Sequence, residues 1–302
     1  MSEKFIVSVA MPNYGQEEFI SEAILGVLDQ KADFEIELIV ADDCSPDNTE
    51  RVVENIIKTH PNAHWIKYVR HSKNKGAIPN FVWTINQTKG KYVAICEGDD
   101  YWTDPLKLQK QVDFLEKNKE YSLTFHKIKE LTTREEKFTY PNPSEEKTYA
   151  LEDLTKENFI ITVSAVFRKD FEKLPEWVQY SPMGDYPLHL INASVGLIKY
   201  FPDEMAVYRV GSGMWSTQHK VDQIVNTMFC LKFLLLHFKN DKQAFHNLKT
   251  QYDKFKNALI QPFEDKRKLD SKIKDYKYLE SITSFGYLIK MLKIKILKKL
   301  KG

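Results

Sequence analysis

Three cysteines in 302 residues, Cys44, Cys96 and Cys230, are too few, too far apart and of the wrong parity for a disulfide framework. No CxxC spacing supports a zinc site, so a reducing, cytoplasmic setting is expected. Long apolar runs are also missing, since none approaches the ~20 residues that span a bilayer. Met1-Ser2-Glu3-Lys4 leads into the first apolar stretch without the hydrophobic region of a signal peptide, so a soluble or peripheral protein is expected. Neither charge sign dominates. Lys+Arg 44 against Asp+Glu 42 gives net +2, too balanced to imply a nucleic-acid partner. The 11 glycines form no GxGxxG turn after the first strand and no GxxxxGK[ST] loop. Dinucleotide and P-loop phosphate cradles are thereby excluded. No internal repeat is present.

What is present is an alternation. Phe5–Met11 is an apolar, β-branched run ending at the turn cluster Pro12-Asn13-Tyr14-Gly15, and Ile20, Ile24 and Val27 then recur at helical spacing. Ile36–Ala41 predicts a second strand, and Ser45–Thr49 a turn and cap before Val52, Val53, Ile56 and Ile57. Trp65–Val69 and Tyr92–Cys96 predict two more strands, with a helix over Pro79–Thr88 between them. Such βαβ units predict an α/β fold whose strand ends share one edge, which would place Asp42 and Asp99 in one crevice. Thr103-Asp104-Pro105 starts a helix carrying Leu108, Val112 and Leu115. Beyond it, Ser122–Ile128, Ile160–Phe167, Ile198–Phe201 and Ala206–Val210 read as strands, and polar Thr132–Lys147 as an exposed loop or hairpin. A short helix begins near Asp185, Gly211–Ser216 has the composition of a mobile loop, and from Val221 the pattern is helical until Pro262.

The chemistry concentrates at Val93-Ala94-Ile95-Cys96-Glu97-Gly98-Asp99-Asp100-Tyr101-Trp102, where a buried strand runs into three carboxylates. Crowded acids repel one another unless a cation lies among them, and oxygen ligands without His or Cys suit Mg²⁺ or Mn²⁺. With no glycine-rich cradle, a metal on these acids is the remaining means of neutralising a nucleotide diphosphate.

Val9–Tyr14, Leu38–Thr49, Asn74-Lys75-Gly76 with Asn80, Gly90-Lys91-Tyr92 and Glu97–Trp102 together resemble the successive motifs of family-two inverting glycosyltransferases with the GT-A fold. The resemblance is tight over residues 4–115 and extends loosely to about 216 through Gly184-Asp185-Tyr186 and Tyr208-Arg209. It implies a Rossmann-like, mostly parallel sheet flanked by helices: a nucleotide-sugar-binding half over 1–115, an acceptor-binding half over 116–216, and a helical extension over 217–302. It also implies a nucleotide-diphospho-sugar donor and a glycan or lipid-linked saccharide acceptor. Position by position, Pro12, Asn13 and Tyr14 would line the base and ribose pocket, with Tyr14 stacking on the base. Asp42 would accept from a base imide N–H, favouring uracil. Asp99 would contact ribose or metal, and Asp100 would hold the metal. Glu97 takes the first position of the usual Asp-x-Asp pattern, keeping the charge with a longer reach. Lys73, Asn80 and Arg209 are further donor-side candidates, Trp215 would be a lid or sugar platform, and Asp185 the base that takes the acceptor's proton. Helix capping is the simpler reading of Asp42 and Asp185.

Six lysines and no acid follow from Lys290 onward, which suits peripheral contact with anionic membrane, and the C-terminal helices offer a surface for pairing chains as a homo-oligomer. Two other function classes fit a metal-binding sheet edge. These are a sugar nucleotidyltransferase, which needs a basic glycine-rich loop that Pro12–Gln16 lacks, and a catalytically degenerate sugar-nucleotide-binding scaffold.

Overall fold

A computed structural model describes residues 6–132, 136–137 and 143–264. The Lys-rich end, and with it the membrane reading, lies outside the described residues. The first half alternates as its periodicity predicts: β1 (Val7–Asn13), α1 (Ile20–Leu28), β2 (Ile36–Asp42), α2 (Thr49–Thr59), β3 (Ile66–Arg70), α3 (Ala77–Gln87) and β4 (Tyr92–Ile95). These four strands lie side by side as β3–β2–β1–β4, every pair parallel. Their carboxyl ends therefore open on one edge.

Alternate residues of β1 explain why it is mostly apolar on both faces. Val7, Val9 and Met11 pack with α1 and α2 through Ile20, Ile24, Val27 and Val53, whereas Ala10 packs with Phe81 and Ile85 of α3. Helices thus cover both faces, as a buried parallel sheet requires.

The second half extends the same sheet. β5 (Tyr101–Trp102), α4 (Lys107–Lys117), β6 (Tyr121–Thr132), β7 (Glu136–Lys137), β8 (Lys147–Tyr149), α5 (Leu151–Leu154), β9 (Val166–Arg168), α6 (Asp185–Ala193) and β10 (Leu197–Val210) follow in order. The sheet continues β4–β9–β6–β10–β5, with β9 antiparallel to both neighbours and β6 parallel to β10. The architecture is the expected GT-A arrangement, a curled, mainly parallel sheet between helices.

Three element readings change. The strand expected over Ile160–Phe167 is only its last part, because Thr162–Ser164 forms a 3₁₀ turn with Ser164 Oγ donating to Ile161 O at 2.6 Å. The two strands expected at Ile198–Phe201 and Ala206–Val210 are one, β10, with register shifts between Phe201 and Ala206. Pro202, which has no N–H to donate, lies within that irregularity. The long helical stretch breaks earlier than Pro262, giving α7 (Lys220–His237) and α8 (Lys242–Glu264). Asp241 makes the break, its Oδ1 accepting from Gln243 N at 3.1 Å and Ala244 N at 2.9 Å. Among the described residues no helix is long and apolar enough to cross a membrane.

Candidate functional site

The parallel ladder does not stop where β4 ends. Cys96 N donates to Ala10 O at 3.1 Å and Gly98 N to Pro12 O at 3.3 Å, so the acidic turn is fastened to the end of β1. Gly98 lies so close that a Cβ there would overlap Asn13 Oδ1 and stand 2.5 Å from Gln16 Oε1. A side chain at this position would push the two amides apart.

This edge opens into a cavity of about 630 Å³, lined by Pro12, Asn13, Tyr14 and Asp43 from the β1 and β2 ends, by Glu97 and Asp99, and by Asp185 from α6. Tyr14 is 50% exposed and the Asn13 amide is buried without a partner. An aromatic face and an orphaned amide are thereby presented to whatever enters. Glu97 is driven up to about 8 by burial and by the charges of Asp99 and Asp185. Asp99, 7% exposed, is raised by burial as well. Two carboxyls held above their ordinary range, offset on the protein side by the Arg209 guanidinium behind Asp99, favour an incoming cation.

The loop after β10 rests on Asp99. Ser212 Oγ donates to Asp99 Oδ2 at 3.1 Å, and a Cβ on Gly213 would stand 2.9 Å from the same oxygen. Met214 and Trp215 of this loop line the cavity, and Gly211 at φ +98° turns the chain out of the strand into it.

Several expected residues stand elsewhere. Asp42 is fully buried and does not line the cavity. Its Oδ1 accepts from Ser45 N at 2.8 Å and Ser45 Oγ at 2.5 Å, and its Oδ2 from Tyr68 at 2.8 Å, with Arg70 Nε at 3.5 Å. It has become the turn cap. The next residue faces the cavity instead, because Cys44 adopts φ 61° and reverses the chain. Asp43 Oδ1 and Oδ2 accept from Lys75 N and Gly76 N, both at 2.8 Å, which ties the 73–76 loop to the site. Lys73 is exposed on that loop and is not among the lining groups.

Asn80 reaches the wall but is used as a strut, donating to Ala41 O at 2.9 Å and paired with His71 Nε2 at 3.0 Å. Arg209 lies behind the acids. Its N–H donates to Asp100 Oδ1 at 2.9 Å, its guanidinium donates to Asp99 O at 2.6 Å and pairs with Glu22, and it stacks over Phe19 and Tyr101. Asp100 itself is 0% exposed and off the cavity, with Oδ2 unpartnered. The expected three-acid metal cluster is therefore not assembled. Among the described residues no group of three or more His, Cys, Asp or Glu side chains converges to hold a metal ion.

From the sequence, His189 reads only as polar surface or a phosphate contact. It lies one turn beyond Asp185, wholly buried, with neither ring nitrogen partnered. Burial lowers its pKa from 6.5 to about 4, partly offset by the charge of Asp185. The unfolded chain then binds more protons than the folded one below pH 6.5, so stability falls as pH drops from 6.5 towards 4, by roughly 3 kcal/mol at most. His126, also buried and held low, acts in the same direction. Since no hydrogen bond is lost, His189→Leu is expected to keep its stability at pH 7 and to lose less of it on acidification than the parent. Thermal unfolding across that range checks this, and parallel curves would refute it.

Residues 8–174 match the model of Glycosyl transferase family 2. An uncharacterized protein of Mycobacterium tuberculosis is 35% identical over 217 residues, covering 70% of this chain and 61% of its own. The chain thus spans about three fifths of that relative. A Bacillus subtilis protein named as a teichuronic acid biosynthesis glycosyltransferase is 32% identical over 126 residues, 41% of this chain and 48% of its own. Among solved structures, S. aureus TarS 1-349 in complex with UDP-GlcNAc superposes with a TM-score of 0.63 at 19% identity, over 88% of this chain and 77% of that one. The mannosyltransferase PcManGT of Pyrobaculum calidifontis, in complex with GDP-Man and Mn²⁺, gives 0.59 at 14%, over 95% and 83%. At these identities the two structures share the fold.

Proposed function

Because the chain belongs to glycosyl transferase family 2, we propose that its cavity takes a nucleotide-diphospho-sugar and transfers the sugar, with inversion, to an acceptor hydroxyl activated by Asp185. The observation that carries this reading is the convergence of Glu97, Asp99 and Asp185 on one cavity with the Pro12–Tyr14 wall. Tyr14 offers its face to the base, while Asn13 and Asp43 offer hydrogen-bonding groups to base and ribose. A base imide N–H would be accepted by Asp43, which faces the cavity, in place of Asp42. This favours uracil over cytosine, which has no such donor, and UDP is the donor nucleotide proposed.

A Mg²⁺ or Mn²⁺ fits the carboxylates present, because such ions are commonly held by one or two carboxylates together with substrate phosphates. Asp99 and Glu97 are the residues that would hold it. When bound, it would supply positive charge against the departing diphosphate. Asp185, at the first turn of α6 and on the cavity wall, would take the hydroxyl proton as the acceptor oxygen bonds to the anomeric carbon and the bond to the diphosphate oxygen breaks. Met214 and Trp215 would exclude water from the closed site.

A panel of UDP-, GDP- and dTDP-sugars, assayed for sugar release with Mn²⁺, tests the reading. Metal-dependent release from one donor class is expected. Pyrophosphate formed from a sugar 1-phosphate and a nucleoside triphosphate would instead establish the nucleotidyltransferase alternative, and binding without turnover the scaffold.

A further inference from the structure

The cavity wall is chemically divided. Its carboxylates at the β2 and β4 ends face a different side, built from the segment after α5 and from α8, where Lys156, Asn158, Gln251, Lys254 and Phe255 line the space. Lys156 and Lys254 are the only cationic lining side chains among the described residues. Lys156 stands 3.5 Å from Asp153 in an exposed pair, a contact that is weakly held, and Lys254 makes no ion pair among the described residues. Asn158 adds a buried amide oxygen without a partner. The single acid of this segment, Glu157, also lines the space but is exposed, so this side carries two cations against one carboxylate.

This side is rigidly joined to Asp185. Tyr186, the next residue, donates from its hydroxyl to Leu154 O at 2.9 Å and accepts from Gln251 Nε2 at 2.8 Å. Gln251 Nε2 also donates to Thr155 O at 2.6 Å, and Asn247 Nδ2 donates to Glu152 O at 3.1 Å and Thr155 Oγ1 at 3.0 Å. These buried bonds clamp α5, α6 and α8 together. Lys254 and Phe255 follow Gln251 by one helical turn and are thereby fixed on the wall. α8 lies beyond residues 8–174, so its share of this surface, Lys254 and Phe255, is separate from the segment that matches the family model, whereas Lys156 and Asn158 fall within it.

We propose that the α5–α8 side is the acceptor subsite and that the acceptor carries an anionic group, a phosphate or a carboxylate, held between Lys156 and Lys254. Asn158 hydrogen-bonds the same ligand and Phe255 flanks its sugar ring. The proposal rests on the glycosyl-transfer reading. A neutral acceptor would leave an excess of positive charge and an orphaned amide on this side without a counterpart.

Calorimetry on the full chain, with Mn²⁺ and saturating UDP, uses glucose 6-phosphate, glucuronate and glucose as probes. At least one anionic probe is expected to bind roughly tenfold tighter than glucose or better, and which of the two does so identifies the group. In the Lys156→Gln/Lys254→Gln double variant that advantage disappears while UDP affinity is kept. Anionic probes that bind no tighter than glucose, or not at all at millimolar concentration in a chain that binds UDP, overturn the proposal. So does an equal loss of UDP affinity in the double variant, which assigns the lysines to the donor diphosphate. Absence of UDP and GDP binding in the parent chain is a separate result, and overturns the glycosyl-transfer reading together with the proposal.

Discussion

Asp185→Asn is expected to lower the rate of sugar transfer by roughly 10³-fold, within the range a positioned general base contributes, while UDP binding and thermal stability change little. Asn has the same shape and can still hydrogen-bond an acceptor hydroxyl, but it has no affinity for the proton. The donor nucleotide is assigned to the Pro12–Tyr14 wall and to Glu97 and Asp99, so its affinity should survive. Helix α6 should survive as well. A carboxylate at its first turn is favoured by the helix dipole, yet only by about 0.5 kcal/mol, and the buried Tyr186, Leu188 and Leu190 hold the helix in the core. Initial transfer rates alongside UDP titration would separate the two effects. Transfer retained within a few-fold of the parent would remove Asp185 as the base and leave it as a cap.

How far the sequence reaches is best seen at the two acidic pairs. The strands that carry them were legible, because β1, β2 and β4 are buried on both faces and so read as predominantly apolar runs. Which member of each pair faces the cavity was not. At the end of β2 the choice depends on Cys44 at φ 61°, with Asp42 capped by Ser45 and Tyr68 and Asp43, itself buried, on the cavity wall. At the end of β4 it depends on Arg209, which is more than a hundred residues away and draws Asp100 inward. Local pattern contains neither the dihedral nor the distant partner. The α8 wall was hidden for the same reason. Lys254 and Phe255 look like ordinary helix surface until the Tyr186–Gln251 clamp turns them to the cavity. The Asp241 cap, by contrast, was readable, since Asn240-Asp241 before an amphipathic stretch is a start signal, and Pro262 drew the break too far along the chain.

The same division predicts opposite behaviour for neighbouring carboxylates. Asp99→Asn removes a charge that faces the cavity, and transfer efficiency is expected to fall by about 10²–10³-fold, as loss of several kcal/mol of charge stabilisation at a diphosphate would give. The fold should be unharmed. Asp99 accepts from Ser212 at the loop, and an amide oxygen accepts there equally well. Asp100→Asn should act differently. Burial, with Asp99 and Glu97 beside it, holds the Asp100 carboxyl well above its ordinary range, and the group is off the cavity, so an amide there removes no charge that faces the donor. Its oxygen can still accept from Arg209 N, which keeps the acidic turn fastened to β10. Transfer by Asp100→Asn should therefore remain within a few-fold of the parent. Asp100→Ala removes the acceptor and orphans the Arg209 N–H, at a cost of roughly 1–3 kcal/mol in stability, and its transfer should fall only as far as the turn loosens. Measuring Mn²⁺-dependent UDP binding, transfer rate and melting temperature on the three variants decides the assignment. Loss of metal-dependent binding in Asp100→Asn, with Asp99→Asn intact, would return the metal to Asp100 and require the turn to rearrange when the donor enters.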